Sequence, residues 1–264
     1  MRTFTLLASL MAMPLTLSAC SGEEGTDPPR VVVTTAWEGM YAAAAGAVDI
    51  TVIVPPGTPN PPVFEPSPEQ LATATGADFL LYSQAERFAQ QARDAAGSEA
   101  DAITIKTDNT AANVIAEVTR LGALFGTTDT ALAWVEEFEA AVAGFQSEID
   151  SQIGADEPVV VAQFHTTWLA SMISSRIATF GPETPTERTL GLLAALEPSI
   201  VLNESGTTTA PVLPDSSAPQ VAVLNHPDEG LDLIALYRQN IDFVLGALRG
   251  PASADIDGAQ GDSR

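Results

Sequence analysis

The sequence predicts an α/β protein: two β/α lobes, each a parallel-rich sheet flanked by helices, bridged by one long helix. Three observations lead there. Short apolar, β-branched runs alternate with stretches of helical periodicity, the order expected of parallel strands joined by crossover helices. Those runs are continuous rather than alternating, as strands covered on both faces are. The alternation lies on both sides of one extended helical stretch, Thr128 to Ile153.

Taken in order, Val31-Val32-Val33-Thr34-Thr35 is the first strand and Asp49-Ile50-Thr51-Val52-Ile53-Val54 the second, closed by Pro55-Pro56-Gly57. A short helix is expected from Pro68 to Thr75, with Ser67 placed to cap it. Asp78-Phe79-Leu80-Leu81-Tyr82 and Ala102-Ile103-Thr104-Ile105 are further strands. Asn109 to Phe125 is helical, with Asp108 and Asn109 as cap residues and Gly126 as a C-cap. In the long stretch, Ala131, Leu132, Val135, Phe138, Val142, Phe145 and Ile149 recur at three- and four-residue spacing, with acidic residues between them. A second series follows: strand Pro158 to Phe164, helix Thr186 to Ala195, strands Ser199 to Leu202 and Gln220 to Leu224, and a closing helix from Gly230 to Leu248.

The flanks have a different character. Arg2 and a short apolar run from Phe4 to Leu15 form too short a segment for a bilayer-spanning helix, which needs roughly 20 apolar residues, but they have the form of a secretory signal. The run ends in Leu17-Ser18-Ala19-Cys20, which resembles a bacterial lipobox: small residues suit a narrow peptidase site, and the cysteine supplies the thiol for lipidation. Cys20 is the only cysteine in the chain, so neither an intramolecular disulfide nor a cysteine zinc cluster is open to it. The expected division is a signal peptide over 1–19, a lipidated tether over 20–30, lobes over 31–127 and 154–250, the connecting helix over 128–153, and a disordered tail over 251–264. The protein is thus expected outside the cell membrane and held to it by lipid.

Composition narrows the partners. With 11 Lys+Arg against 34 Asp+Glu, and a net charge of -23, nucleic acid is excluded as a partner, because phosphate binding needs clustered positive charge. The motifs of common hydrolases and phosphate binders are missing: no G-x-S-x-G, no H-E-x-x-H and no glycine-rich phosphate loop.

Several segments, in this order, resemble the metal-binding solute-binding proteins of zinc and manganese ABC importers. Val33-Thr34-Thr35 with a helix through Ala42 to Gly46 is similar to that family's opening strand and helix. Val54-Pro55-Pro56-Gly57 and Phe64-Glu65-Pro66-Ser67-Pro68 resemble its loop; Ala77-Asp78-Phe79-Leu80-Leu81-Tyr82 resembles the strand after it. Phe164-His165-Thr166-Thr167-Trp168 is similar to a segment of its second lobe. Val201-Leu202-Asn203-Glu204 and Tyr237-Arg238-Gln239-Asn240 are similar to later ones. The resemblance implies a monomeric, non-enzymatic binding protein that holds its solute between two lobes and delivers it to a membrane permease driven by an ATPase.

It also implies a metal site of three histidines and a carboxylate, and here the chain departs from the pattern. Pro61 or Pro62 stands at the first histidine's place and Lys106-Thr107-Asp108-Asn109 around the second. His165 remains for the third, and Asp228 or Glu229, beside His226, is available for the carboxylate. A site of His165 with Glu65, Glu204 or Asp228, and with His226 nearby, is poor in the nitrogen and sulfur donors that zinc prefers. It suits manganese or iron as well. His165 follows a strand at its carboxyl end, where open α/β sheets place ligands; Glu204 ends another. Trp37 and Trp168 each follow a strand and are candidates to wall the cleft. Two alternatives stay open: the same fold carrying a metal chelate or an organic solute, and, from another class, a surface-anchored hydrolase. A third use of such lipoproteins is as a surface adhesin or scaffold.

Overall fold

The β-branched runs become the inner strands of two four-stranded parallel sheets. The computed structural model describes residues 28–153, 156–206, 211–227 and 230–249. The expected signal segment, Cys20, most of the tether, the tail and Asp228 lie outside the described residues. The first sheet is built from β1 (Arg30–Val33), β2 (Asp49–Val52), β3 (Phe79–Tyr82) and β4 (Asp101–Thr104), in the order β2-β1-β3-β4. The second is built from β5 (Val160–Gln163), β6 (Ile177–Phe180), β7 (Ile200–Glu204) and β8 (Gln220–Val223), in the equivalent order β6-β5-β7-β8. Val31, Val32 and Val33 of β1, and Val160, Val161 and Ala162 of β5, are fully buried. Each of these strands therefore occupies the middle of its sheet, while β2 and β4 keep exposed residues at the edges.

Local chemistry sets the helix starts. Thr35 caps α1 (Ala36–Ala44) in a capping box with Glu38, and Ser67 caps α2 (Pro68–Ala72) in a second one with Gln70. The helices α3 (Ala89–Ala96) and α4 (Ala111–Phe125) follow, the latter closed by Gly126 at φ 74°. The connecting helix α5 (Thr128–Ile153) runs for 26 residues, and α6 (Thr167–Ile173), α7 (Glu187–Ala194) and α8 (Leu233–Arg249) complete the order. Where α4 turns into α5, a Cβ on Gly122 would stand 2.3 Å from the Cβ of Ala131. Only glycine lets the two helices approach that closely.

One continuous apolar core joins the halves. It runs from Val31, Met40 and Tyr41 through Phe138, Phe145 and Ile149 of α5 to Trp168, Leu202, Tyr237 and Ile241. Two smaller clusters lie on the outer faces of the sheets.

Several expectations are corrected. The strand expected over Pro158 to Phe164 stops at Gln163, and Phe164–Thr166 forms a 3-10 turn that leaves Phe164 55% exposed. The helix expected from Asn109 begins at Ala111, with Thr110 as its cap residue. Asp108 contributes by accepting the Thr110 N–H (2.9 Å), whereas Asn109 is fully buried and bonds elsewhere. Leu132, placed on the core face of α5, is 47% exposed. The helices α3 and α6 and the strand β6 had no counterpart in the elements read from periodicity, because each is too short to show a period.

Candidate functional site

In each sheet the chain leaves its first strand for a neighbour on one side and then returns to the other side. The crossovers diverge at that point and leave a crevice beyond the carboxyl ends of the two middle strands, the usual ligand position in open parallel sheets. Here the crevice of one sheet faces that of the other. Thr35 follows β1, and Ser83 and Glu86 follow β3; Gln163 ends β5, with His165 just beyond, and Glu204 ends β7. All of these line one cavity of about 370 Å³.

The wall from the second sheet is organised around Glu204. His165 Nδ1 lies 3.2 Å from Glu204 Oε2, the Asn225 side-chain amide donates to Glu204 Oε1 (2.8 Å), and the Glu204 N–H donates to Gln163 Oε1 (2.7 Å). The carboxylate beside it raises the basicity of the half-exposed His165, against a smaller opposing effect of burial. With Nδ1–H directed at Glu204, Nε2 is the nitrogen presented as an electron-pair donor, the arrangement found for metal-binding histidines. Trp37 stands edge-on to His165, its ring centre 6.3 Å away, and 6.4 Å from the ring of His226.

A buried polar chain ties this wall to the other half. Trp168 Nε1 donates to Asn225 Oδ1 (3.0 Å), Asn109 Nδ2 donates to the Asn225 carbonyl (3.0 Å), and Trp37 Nε1 donates to Asn109 Oδ1 (2.9 Å). Both indoles and both asparagines are thereby satisfied inside the core, as buried polar groups must be.

The wall from the first sheet is acidic. Glu38 reaches back to the N–H of Thr35 (3.1 Å). Glu86 accepts the Thr34 hydroxyl (2.9 Å) and the Ser83 N–H (3.3 Å). Burial pushes the Glu38 carboxyl up to about 7; burial and then the charge of Glu38 push Glu86 up to about 9. Among the described residues lining this cavity there is no Lys or Arg.

The residues proposed from sequence divide accordingly. His165, Glu204 and His226 line the same cavity, and Pro61, Pro62 and Thr107 also line it where the resemblance places histidines. Glu65 is exposed and is not among the residues lining the described cavities. Among the described residues, no three His, Cys, Asp or Glu side chains converge closely enough to hold one ion. Glu38 and Glu86 were missed, although the sequence carries a signal for both. Each is the last residue of a Thr/Ser-x-x-Glu pattern directly after a buried strand, which turns the glutamate back towards the strand end. A second cavity of about 570 Å³ adjoins the first across Trp37 and His165, and is lined by Phe164, Trp168, Lys106 and Asp108 among others.

No protein-family model and no curated protein matches the chain. Solved structures do share its fold. The solute-binding protein FpvC of Pseudomonas aeruginosa in complex with Ni²⁺ superposes with a TM-score of 0.65 at 16% identity, over 84% of this chain and 97% of that one. The laminin-binding protein Lmb of Streptococcus agalactiae, described as bifunctional with adhesin and metal-transporting activity, gives 0.65 at 15% identity over 83% and 99%. The metal-dependent lipoprotein YcdH of Bacillus subtilis gives 0.59 at 14% identity over 83% and 99%. The chain therefore has the two-lobed fold of metal-binding solute-binding proteins. At such identities the likeness is one of fold.

Proposed function

We propose that this chain is the extracytoplasmic solute-binding component of an ABC importer. It captures a divalent metal ion (manganese, zinc or iron) between its two sheets, as a monomer and without catalysis, and hands it to a membrane permease coupled to an ATPase. The observation that carries the reading is the His165–Glu204 pair (3.2 Å). It stands at the strand ends of one sheet and faces a cavity completed by the other. The fold shared with FpvC and YcdH supports it. In this reading Cys20 carries the lipid anchor, and the segment holding Asp228 is a source of a further carboxylate ligand.

A ligand that binds only the folded state raises its stability. Mn²⁺ or Zn²⁺ is therefore expected to raise the melting temperature of the purified protein, and His165→Ala to abolish the rise. No shift with any divalent ion would sink the metal reading. The cavity of about 570 Å³ walled by Trp37, Phe164 and Trp168 favours a second reading, a metal chelate or organic solute, since its volume lies in the range of small-molecule sites. Stabilisation by a chelate but not by the bare ion would select it.

A further inference from the structure

One aromatic ring in the crevice is turned towards solvent instead of the core. Phe164 is 55% exposed, although it stands two residues beyond the fully buried Ala162. A single exposed apolar side chain means little by itself. This one is held in place: Thr166 Oγ1 donates to the Gln163 carbonyl (2.9 Å) and Thr167 Oγ1 to the Phe164 carbonyl (2.9 Å), which fixes the turn. Its ring is edge-on to that of His165, with centres 5.3 Å apart, and His165 is edge-on to Trp37 in turn (6.3 Å). These three rings and Trp168 line the cavity of about 570 Å³. Both indole N–H groups are taken up by Asn109 and Asn225, so what the tryptophans offer a solute is ring carbon.

The charged side chains lining the same cavity are Lys106, Asp108 and Glu117, and all three are paired. Lys106 meets Asp108 (3.1 Å), and Glu117 meets Arg120. A solute with a net charge finds no unmatched partner among them. One that carries both a donor and an acceptor finds both side by side in the Lys106–Asp108 pair.

We propose that this cavity is a subsite for an organic solute of no net charge built on an aromatic ring, which lies against Phe164 and Trp37 and turns its polar end to the Lys106–Asp108 pair. The inference rests on the organic-solute reading above and gives that solute a chemical class. A ring is selected over an aliphatic group of the same size because aromatic edges and faces attract one another beyond the area they bury.

Ligand-observed NMR titrations of the purified protein test this with matched probes: phenol against cyclohexanol, and L-phenylalanine against L-cyclohexylalanine. Benzoate tests the effect of charge. The aromatic member of each pair is expected to bind about fivefold more tightly than its saturated counterpart, and phenol more tightly than benzoate. Phe164→Ala should remove the preference for the ring, and so should Phe164→Leu, which keeps apolar bulk without aromaticity. Melting temperatures of both variants should match that of the unchanged protein, because the ring is exposed; if Phe164→Ala melts lower, Phe164→Leu decides. Equal binding of aromatic and saturated probes would overturn the inference and leave the organic-solute reading standing. An unchanged preference in Phe164→Leu would overturn it in the same way, as would tighter binding of benzoate than of phenol. Binding of none of the probes would remove both.

Discussion

Two glutamates ionise well above an ordinary value of 4.5, Glu38 at about 7 and Glu86 at about 9, with burial as the leading cause in each. The folded chain thus binds more protons than the unfolded one between pH 4.5 and those values, and stability must fall as pH rises through that window. His165 has the same sign, since its raised basicity contributes stability that is lost as pH climbs. Asp108 and Glu157 are held below their ordinary values and act only in the acid range. The difference between proteins, rather than the slope alone, therefore isolates the pair. Melting curves from pH 5 to pH 9 should fall for the unchanged protein and much less for Glu86→Gln; parallel curves would contradict the assignment. At this scale His165 and Glu204 were legible because each ends a buried apolar run. Asn109 was legible only as a cap residue, because its true partner, Asn225, lies 116 residues away.

Among the elements, α5 was the most legible, since six of its seven apolar positions at helical spacing are buried or half-buried and only Leu132 faces solvent. The short elements α3, α6 and β6 were not, as four to eight residues with neither a period nor a strong turn signal fit several structures equally well. The corner between α4 and α5 depends on a close approach that periodicity does not reveal. Gly122→Ala would drive a methyl group into Ala131. It should cost about 1–3 kcal/mol as the helices part, measurable as a lower urea midpoint. An unchanged midpoint would mean that the corner relaxes freely.

For the whole molecule, two sheets with the same strand order could have been two independent bodies. The shared core argues otherwise, because α5 and α8 bury side chains from both halves in one cluster. Unfolding either half would expose the other. Calorimetry should therefore give one transition, with calorimetric and van't Hoff enthalpies in agreement; two resolved transitions would refute a common core. The order of strands and helices was readable along the chain, but the facing of the two crevices was not, since that depends on contacts between segments distant in sequence. The polar chain through Asn109 and Asn225 adds a practical consequence. Of the three tryptophans, Trp37 and Trp168 are wired to Glu204 through that chain, while Trp134 stacks on Phe138 away from it. The protein carries its own optical reporter: solute arriving at Glu204 should change the emission of two indoles and leave the third as an internal standard.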